Sequence, residues 1–443
     1  MTTCGRERHP TDYLTVDPIT VKLSRFGVKL SSDAGIASLI DDLGRAMSGA
    51  DDLIMMGGGN PGHIDAVHRL LKEKLAALAA DDTRFRELIN IYDPSQGHIR
   101  FNEHCARLLR REYGWDVGPE NICLTNGSQT AFFMLLNMFG GRYPDGTMKK
   151  IRFPLAPEYI GYADLGIDDD LFISTRPHIE YLEDRQFKYR VDFDGLDIGE
   201  ETGAICLSRP TNPTGNVVTD IELRRLHGLA EEHDIPLIID SAYGLPFPHI
   251  VYTEASVFWD ERIIICLSLS KLGLPAVRTG IVIASRHIIK SLAAMNAVIS
   301  LAPGSFGALL VEELVQNGDI IELGKKVVKP FYLEKANKTL ACVHKELRGI
   351  PYRVHRPEGA MFLWVWFENM PISSLELYHR LKRRGVLIVS GHYFFVGLSE
   401  PWQHSQECIR VTYSQDDDEI ARGLRVIGSE VRALYDAAGA TTS

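Results

Sequence analysis

Six short apolar runs, separated by stretches long enough for a helix, constrain the fold of this chain more than any other feature. They occupy residues 150–153, 171–174, 204–208, 236–240, 262–267 and 280–284. Runs that are apolar almost throughout are typical of strands in a parallel sheet that helices cover on both faces. The pattern therefore predicts an α/β chain with a large, mostly parallel sheet.

Residues with reactive or hydrogen-bonding side chains follow three of these runs, at the points where the predicted strands end. Arg209-Pro-Thr-Asn-Pro-Thr-Gly215 follows the third run, Asp240-Ser-Ala-Tyr243 closes the fourth, and Lys271 follows the fifth. Ligands of such sheets bind outside the carboxyl ends of the strands. We therefore expect these three segments to line one site.

The segment Ser268-Leu-Ser-Lys271, followed by Arg278, is the most informative of the three. A lysine at the end of a core strand lies beside apolar walls, and removal from water favours its neutral amine. A neutral amine forms Schiff bases, while two serine hydroxyls and an arginine fork suit a phosphate group. The combination indicates a pyridoxal phosphate site, in which the Asp240 carboxylate pairs with the protonated pyridine nitrogen.

Other interpretations of these residues stay open on the residues alone. A lysine after a strand also occurs in plain surface turns, Asn212 can belong to an ordinary turn, and Asp240 can cap a helix. Ser268 and Lys271 also match the S-x-x-K motif of serine acyl-enzymes, although the accompanying S-D-N and K-T-G strings do not occur in this chain. Such an enzyme would use Ser268 as its nucleophile and would need no pyridoxal phosphate.

A glycine-rich stretch near the N-terminus resembles a dinucleotide fingerprint only by its letters. Gly57, Gly59 and Gly62 match G-x-G-x-x-G, but only four apolar residues precede them and Pro61 lies inside the turn. We therefore reject that fingerprint. A glycine turn close to a ligand, or a plain loop, explains the stretch better.

A second glycine marks a candidate anion site. Residues 121–125 predict a strand, and residues 131–139 predict a buried helix because they are apolar on every side. The helix begins at Gly127 and Ser128, where free backbone N–H groups attract anions. Simple capping of the helix by Ser128 is the alternative.

The composition limits the partners of the chain. A net charge of −10, with no local cluster of Lys and Arg, disfavours nucleic acid. No apolar stretch reaches the ~20 residues of a membrane span, and the polar N-terminus lacks the apolar core of a signal peptide. Seven scattered cysteines, four of them in predicted strands, are typical of a reducing compartment. We expect a soluble cytoplasmic protein with no membrane or nucleic acid partner, and we assign no metal site.

The pattern divides the chain into four parts. Residues 1–32 form an N-terminal extension, and residues 33–62, with a helix over 33–47, form a segment that packs with the small domain. Residues 63–325 form the large domain and residues 326–443 form the small domain. A helical region over residues 305–347 connects the two. The small domain contains predicted strands at 360–367, 385–389 and 408–414 and predicted helices at 373–384 and 416–437.

These motifs resemble those of the fold-type I pyridoxal phosphate-dependent aminotransferases, the aspartate aminotransferase superfamily. The shared marks are Asn212-Pro-Thr-Gly215, Asp240-x-x-Tyr243 and Ser268-x-Ser-Lys271 followed by Arg278. The resemblance extends from about residue 23 to near the C-terminus. It implies a seven-stranded, mostly parallel sheet in the large domain, a small α/β domain, and a homodimer with shared active sites.

The resemblance also implies a role for each matching residue. Lys271 matches the catalytic lysine that carries the cofactor, and Asp240 matches the partner of the pyridine nitrogen. Asn212 and Tyr243 match ligands of the phenolate oxygen, and Tyr159 matches the aromatic residue that stacks on the ring. Phosphate contacts are implied for Gly127, Ser128, Gln129, Ser268, Ser270, Arg278 and Tyr92, the last of which reaches the phosphate of the neighbouring subunit. Substrate contacts are implied for Arg410 at the α-carboxylate, and for Asn212, Gly58, Gly59 and Asn60.

The activity that the resemblance implies is transamination between an amino acid and an oxo acid in two half-reactions. The freed Lys271 amine moves the α-proton as general base and acid. Because an apolar pocket separates small aliphatic side chains by only ~1–3 kcal/mol per methylene, we expect overlapping substrates. The interval from Lys271 to Arg278 is one residue shorter than in aspartate-type enzymes. A pyridoxal phosphate-binding regulator is a further alternative, but we expect no DNA-binding domain in the short extension.

Overall fold

A computed structural model of the protein describes residues 22–31 and 53–441. The predicted extension over residues 1–32 is described only at its end, where Arg25–Ser31 forms a helix that the sequence pattern did not predict. The helix predicted over residues 33–47 lies outside the described residues.

The large sheet contains the six predicted apolar strands and the strand predicted at residues 121–125. Its order across the sheet is Ile122–Asn126, Thr279–Ile283, Ile263–Ser268, Leu237–Asp240, Thr202–Ser208 and Met148–Phe153, with Phe172–Ser174 and the two-residue Gly141–Arg142 both paired to the last. Thr279–Ile283 and Gly141–Arg142 run antiparallel to their neighbours, and the other pairings are parallel. The prediction of a seven-stranded, mostly parallel sheet is confirmed, and a two-residue eighth strand extends it.

Helices bury both faces of this sheet, as apolar strands require. Along the strand Ile263–Ser268, Ile263 and Ile265 belong to one apolar cluster and Ile264 and Cys266 to the other. The second cluster is closed by the helices Ser128–Phe139 and Arg286–Ser300. The first is closed by helices that include Ile99–Tyr113, Asp220–Glu232 and Phe306–Asn317. The four cysteines of predicted strands, Cys123, Cys206, Cys266 and Cys408, are all buried and free.

The remaining helices connect the sheets and cover their outer surfaces. They are Asp65–Ala80, Asp82–Asn90, Asp319–Leu323, Lys329–Glu346, Ser374–Arg383 and Asp417–Thr441, with a π-helical turn at Gly324–Val328. Asp81 accepts hydrogen bonds from the N–H groups of Thr83 and Arg84 and so caps the helix Asp82–Asn90. A dinucleotide fingerprint needs an acidic residue about 20 positions after its glycines, at the end of a second strand. Asp81 lies at that distance but caps a helix, which agrees with rejection of the fingerprint. Among the described helices, none combines the length and the apolar character that a membrane crossing requires.

A second, six-stranded sheet contains the C-terminal strands. Its order is Val389–Ser390, Cys408–Thr412, Phe362–Phe367, Tyr352–His355, Gln186–Arg190 and His178–Tyr181. The hairpin formed by the last two strands lies within residues 63–325, which the sequence analysis assigned to the large domain. In the structure this hairpin pairs with Tyr352–His355 of the second sheet.

The segment that precedes the first long helix forms a separate two-stranded sheet with a C-terminal strand and also contacts the second sheet. Ile54–Met55 pairs in parallel with Val386–Leu387, and the Thr412 N–H donates to the Met56 carbonyl oxygen at 2.7 Å. These contacts place residues 54–56 beside the C-terminal part of the chain. The domain boundaries themselves stay a prediction.

Candidate active site

A cavity of about 250 Å³ opens at the carboxyl ends of the large sheet's strands. Elements of both sheets contribute to it. Its lining residues are Gly59, Ser128, Gln129, Phe132, Tyr159, Ile160, Ser208, Pro210, Asn212, Asp240, Ala242, Tyr243, Ser268, Ser270, Lys271, Arg278 and Arg410. The structure thus brings most of the predicted site residues together around one space.

Lys271 lines the cavity directly after the strand Ile263–Ser268. Its Nζ donates a hydrogen bond to the Gly59 carbonyl oxygen at 2.7 Å and lies 5.3 Å from the centre of the Tyr243 ring. The pKa of Lys271 is lowered to about 8, first because burial removes the amine from water and then because Arg410 and Arg278 repel the ammonium form. An appreciable fraction of the amine is therefore neutral near neutral pH, and the neutral amine is the nucleophilic form.

Asp240 ends the strand Leu237–Asp240 and is buried. Its Oδ2 accepts the hydroxyl of Tyr162 at 2.7 Å, and its Oδ1 accepts the N–H of Ala242 at 2.9 Å. Burial raises the pKa of Asp240, whereas these hydrogen bonds and the charge of Lys271 oppose the increase. A buried carboxylate that faces a cavity is stabilised when a cationic group occupies that cavity.

The anion end of the cavity is formed by a helix N-terminus and an arginine. The helix Ser128–Phe139 has Gly127 as its N-cap, with no side chain capping it, so the simple capping role of Ser128 is excluded. Gly127 has φ +84°, a conformation that L side chains rarely adopt, and a Cβ there would lie 2.2 Å from an Arg278 amino nitrogen, which would have to move. The buried hydroxyl residues Ser268 and Ser270 line the same cavity. Free N–H groups, a guanidinium and hydroxyls together suit a phosphate.

Arg410 reaches the cavity from the strand Cys408–Thr412 of the second sheet. Its amino groups donate to Asn212 Oδ1 at 2.7 Å and to the Gly57 carbonyl oxygen at 2.6 Å. Its guanidinium lies 4.1 Å from the centre of the Phe362 ring. Burial lowers the pKa of Arg410 to about 10, so the group remains charged at neutral pH. Its Nε has no hydrogen-bond partner in the described part of the chain, which leaves a donor for a carboxylate.

The other predicted residues divide into two groups. Those that line the cavity are Gly59, Gln129, Tyr159, Asn212 and Tyr243. Gly58 is buried beside Met55, and Asn60 is exposed, so these two flank the cavity without lining it. Tyr92 is 81% exposed and does not reach the cavity of its own chain.

Sequence reasoning missed three residues behind Asp240. Glu158, Tyr162 and Ser208 form a hydrogen-bonded group that ends on the Asp240 carboxylate. The one available signal was an acidic residue, Glu158, within an otherwise apolar stretch, because a buried carboxyl needs hydrogen-bonding partners.

Comparison with known proteins identifies the family. The sequence model of the family "Aminotransferase class I and II" matches residues 167–427. A valine–pyruvate aminotransferase of Escherichia coli (strain K12) is 49% identical over 416 residues, which cover 93% of this chain and 98% of that protein. The chain belongs to the class I and II aminotransferases.

Solved structures of related aminotransferases agree in fold over nearly the whole chain. A putative amino-acid aminotransferase from Psychrobacter arcticum 273-4 has a TM-score of 0.91 at 45% identity and covers 94% of this chain and 99% of its own. The valine-pyruvate aminotransferase of Salmonella typhimurium LT2 has a TM-score of 0.84 at 48% identity, with coverages of 90% and 99%. These matches confirm the resemblance to the aminotransferases that the sequence motifs indicated.

The cofactor of this aminotransferase is pyridoxal phosphate, and the cavity fits it. Gly127 and Arg278 hold the anion end open for a phosphate because no side chain caps the helix there. Asp240 offers a buried carboxylate to a cationic ring nitrogen, and Lys271 offers an amine of lowered pKa to the aldehyde. The individual contacts to the cofactor stay predictions.

Proposed function

We propose that this aminotransferase transfers the amino group of L-valine to pyruvate, giving 3-methyl-2-oxobutanoate and L-alanine. The reaction belongs to branched-chain amino acid and alanine metabolism. The observation that carries the proposal is the 49% identity, over 98% of its length, to the Escherichia coli protein named valine–pyruvate aminotransferase. The chemistry of the cavity supports it.

Lys271 and Asp240 perform the proton chemistry in this proposal. Bound pyridoxal phosphate supplies an electron sink for the bond that breaks at the substrate α-carbon. The Lys271 amine would take the proton from the substrate α-carbon and deliver it to the cofactor carbon within the same half-reaction, and it would reverse this transfer in the other half-reaction. Its pKa of about 8 suits both directions. The ionised Asp240 carboxylate keeps the pyridine nitrogen protonated. Ser268, Ser270 and Arg278 hold the phosphate and so orient the reacting groups.

Arg410 binds the α-carboxylate of either substrate. Its planar fork offers two parallel hydrogen bonds to a carboxylate, and the Phe362 ring beneath it fixes the plane of the guanidinium. The carbonyl oxygens of Gly57 and Gly59 accept from Arg410 and Lys271 respectively, so the N-terminal segment closes over both groups. This closure would exclude water during the reaction.

The walls of the cavity favour an aliphatic side chain. Among the described lining residues, the cations are Lys271, Arg278 and Arg410, and each has a role in the proposal. No further lining cation of this chain is available for a side-chain carboxylate. Apolar and aromatic surfaces come from Phe132, Tyr159, Ile160, Pro210 and Tyr243.

Amino transfer from isotopically labelled L-valine to pyruvate, followed by NMR of the alanine formed, tests the proposal. We expect kcat/KM for L-valine to exceed that for L-aspartate by at least ~10²-fold, with 2-aminobutyrate close to valine. Preference for an acidic or aromatic donor would contradict the proposal and indicate another aminotransferase of the same fold.

We further propose a homodimer with shared active sites. Two adjoining segments carry exposed apolar side chains, which are Ile89, Ile91, Tyr92, Ile99, Val298, Ile299, Leu301 and Phe306. The segments adjoin because Asn296 Nδ2 donates to the Ser95 carbonyl oxygen at 2.8 Å. An apolar patch formed by exposed side chains of adjoining segments is typical of a protein interface.

The patch borders the anion end of the cavity. Asn126 Oδ1, next to Gly127, accepts the N–H of Gly304 at 2.9 Å. A second copy that covers the patch would therefore bring its Tyr92 towards the phosphate, which explains the exposure of Tyr92 in one chain.

Mixed dimers test the shared site. Tyr92→Ala and Lys271→Ala should each lose activity at limiting pyridoxal phosphate. After the two variants are unfolded together and refolded in equal amounts, we expect about a quarter of the wild-type activity, because half of the dimers contain one intact site. If Tyr92 serves its own chain, the mixture stays inactive.

Domain division and location complete the proposal. We propose a large domain over residues 63–325, without the hairpin formed by His178–Tyr181 and Gln186–Arg190, and a small domain over residues 326–443 that includes it. We also propose a cytoplasmic location, which the free cysteines at described positions support. Limited proteolysis and cell fractionation test these two points.

A further inference from the structure

A second buried carboxyl group lies behind Asp240. Glu158 is fully buried, and among the described residues no lysine, arginine or histidine forms an ion pair with it. Its Oε1 accepts the Ser208 N–H at 2.8 Å, and its Oε2 accepts the Tyr159 N–H at 3.1 Å and lies 2.7 Å from Ser208 Oγ. Burial of an ionised carboxylate without a cation costs free energy. The hydrogen-bonding partners of Glu158 therefore decide whether it carries a proton.

Hydroxyl groups connect the two carboxyls. Ser208 Oγ lies 2.7 Å from Glu158 Oε2 and 3.2 Å from Tyr162 Oη, and Tyr162 Oη lies 2.7 Å from Asp240 Oδ2. The four side chains therefore form one line of three contacts. Each contact needs one proton to be a hydrogen bond.

Counting protons shows that the line is one proton short when both carboxyls are ionised. Ser208 and Tyr162 supply two hydroxyl protons for three contacts, which leaves two oxygen lone pairs facing each other. One additional proton completes the line. It can reside on Glu158, with every donor directed towards Asp240, or on Asp240, with every donor directed towards Glu158.

We propose that Glu158 and Asp240 share one proton through Ser208 and Tyr162, and that Glu158 is the positioning residue that holds it when Asp240 faces the protonated pyridine nitrogen. To change holder, Glu158 gives its proton to Ser208 Oγ, Ser208 gives its own to Tyr162, and Tyr162 gives its own to Asp240. Both hydroxyls are regenerated, and one negative charge moves from Asp240 to Glu158. The proposal concerns the cofactor's charge partner and holds for any amino acid substrate.

The groups around the two carboxyls agree with a single shared proton. The pKa of Glu158 is raised to about 7, first by burial and also by the charge of Asp240. The neighbouring thiols of Cys206 and Cys266 have pKa values well above their ordinary range, and burial also raises the pKa of Tyr159. These groups stay neutral near pH 7 and do not compete for the proton. On the cavity side the charge of Lys271 acts on Asp240 and favours its ionised form.

Infrared spectroscopy of the full-length protein, loaded with pyridoxal phosphate, tests the proposal without any substrate. Below the Glu158 pKa of about 7 we expect the carbonyl band of a protonated, buried carboxyl, and we expect its loss as the pH rises through that value. Glu158→Gln should lack the band. Glu407→Gln is the matched control, because Glu407 is a buried glutamate directly before the strand Cys408–Thr412 that accepts Trp366 Nε1–H at 2.8 Å. This variant should keep the band.

Tyr162→Phe interrupts the line and separates proton sharing from a merely structural role. In the wild type we expect the Glu158 band to increase when pyridoxal phosphate is added to the cofactor-free protein. In Tyr162→Phe the band should not respond, because the hydrogen bonds that couple the protonation of the two carboxyls are lost. A wild type without the band, a band unchanged in Glu158→Gln, or an equal response in Tyr162→Phe would overturn the proposal. Because none of these measurements involves valine or pyruvate, failure here is distinguishable from failure of the proposed reaction.

Discussion

The cofactor side and the substrate side of the cavity are built in different ways. On the cofactor side, Asp240 and Lys271 end neighbouring strands of one sheet, and the helix Ser128–Phe139 packs on that same sheet. On the substrate side, Arg410 belongs to the second sheet and is joined to Asn212 and to the Gly57 carbonyl by hydrogen bonds. The cofactor side is therefore positioned by one rigid element, whereas the substrate side depends on how the two sheets and the N-terminal segment meet.

The largest expected effect lies on the cofactor side. Lys271→Ala removes the amine that we propose as nucleophile and base, so we expect turnover to fall by more than about 10⁴-fold. Alanine formation from valine and pyruvate measures it. Lys338→Ala, which removes an exposed lysine of the helix Lys329–Glu346, is the control and should leave the rate unchanged. Near-normal turnover in Lys271→Ala would refute the assignment of this side.

A pair of variants on opposite sides sharpens the comparison. Asp240→Asn removes the proposed charge partner of the ring nitrogen, so we expect kcat to fall by about 10²–10³-fold and pyridoxal phosphate to bind more weakly. Arg410→Lys keeps a charge but loses the planar fork, so we expect KM for valine to increase by about 10²-fold with cofactor affinity nearly unchanged. Steady-state kinetics and cofactor titration separate the two. Equal loss of cofactor in both variants would remove the distinction between the sides.

The smallest expected effect is electrostatic: Arg410, on the substrate side, changes the pKa of Lys271, on the cofactor side. Because the Lys271 pKa is about 8 and only the neutral amine reacts, the rate at which cofactor-free protein recaptures pyridoxal phosphate should increase with pH and level off above that value. The increase approaches about tenfold per pH unit well below the pKa. Arg410 contributes to the lowered pKa, so Arg410→Met should move the midpoint upwards, by less than about one unit. A midpoint that stays or moves downwards would contradict this coupling.

The same contrast explains how much the sequence could predict. The cofactor side was predictable because strand ends of one sheet bring Asp240, Lys271 and the Asn212 turn together, and each motif is continuous in the chain. Arg410 was implied by the family resemblance alone. The hairpin that joins the second sheet was not predicted, since its partner Tyr352–His355 lies far along the chain.

The proton line was beyond sequence reasoning for a similar reason. Its contacts join residues 50 and 78 positions apart, and no local pattern shows that Glu158 and Asp240 meet through two hydroxyls. Tyr92 is a related case, because its predicted role needs a second copy of the chain. In each instance the information lies in tertiary or quaternary contacts rather than in a motif.

The visible absorption spectrum of the purified protein, recorded before and after L-valine is added, tests the central claim most directly. We expect a yellow protein whose cofactor band decreases with valine, as the amino group moves to the cofactor, and returns when pyruvate is added. A yellow protein whose spectrum does not change when valine is added would contradict the proposed substrate. A protein that stays colourless after pyridoxal phosphate is added would contradict the assignment of Lys271 and the cofactor side built around it.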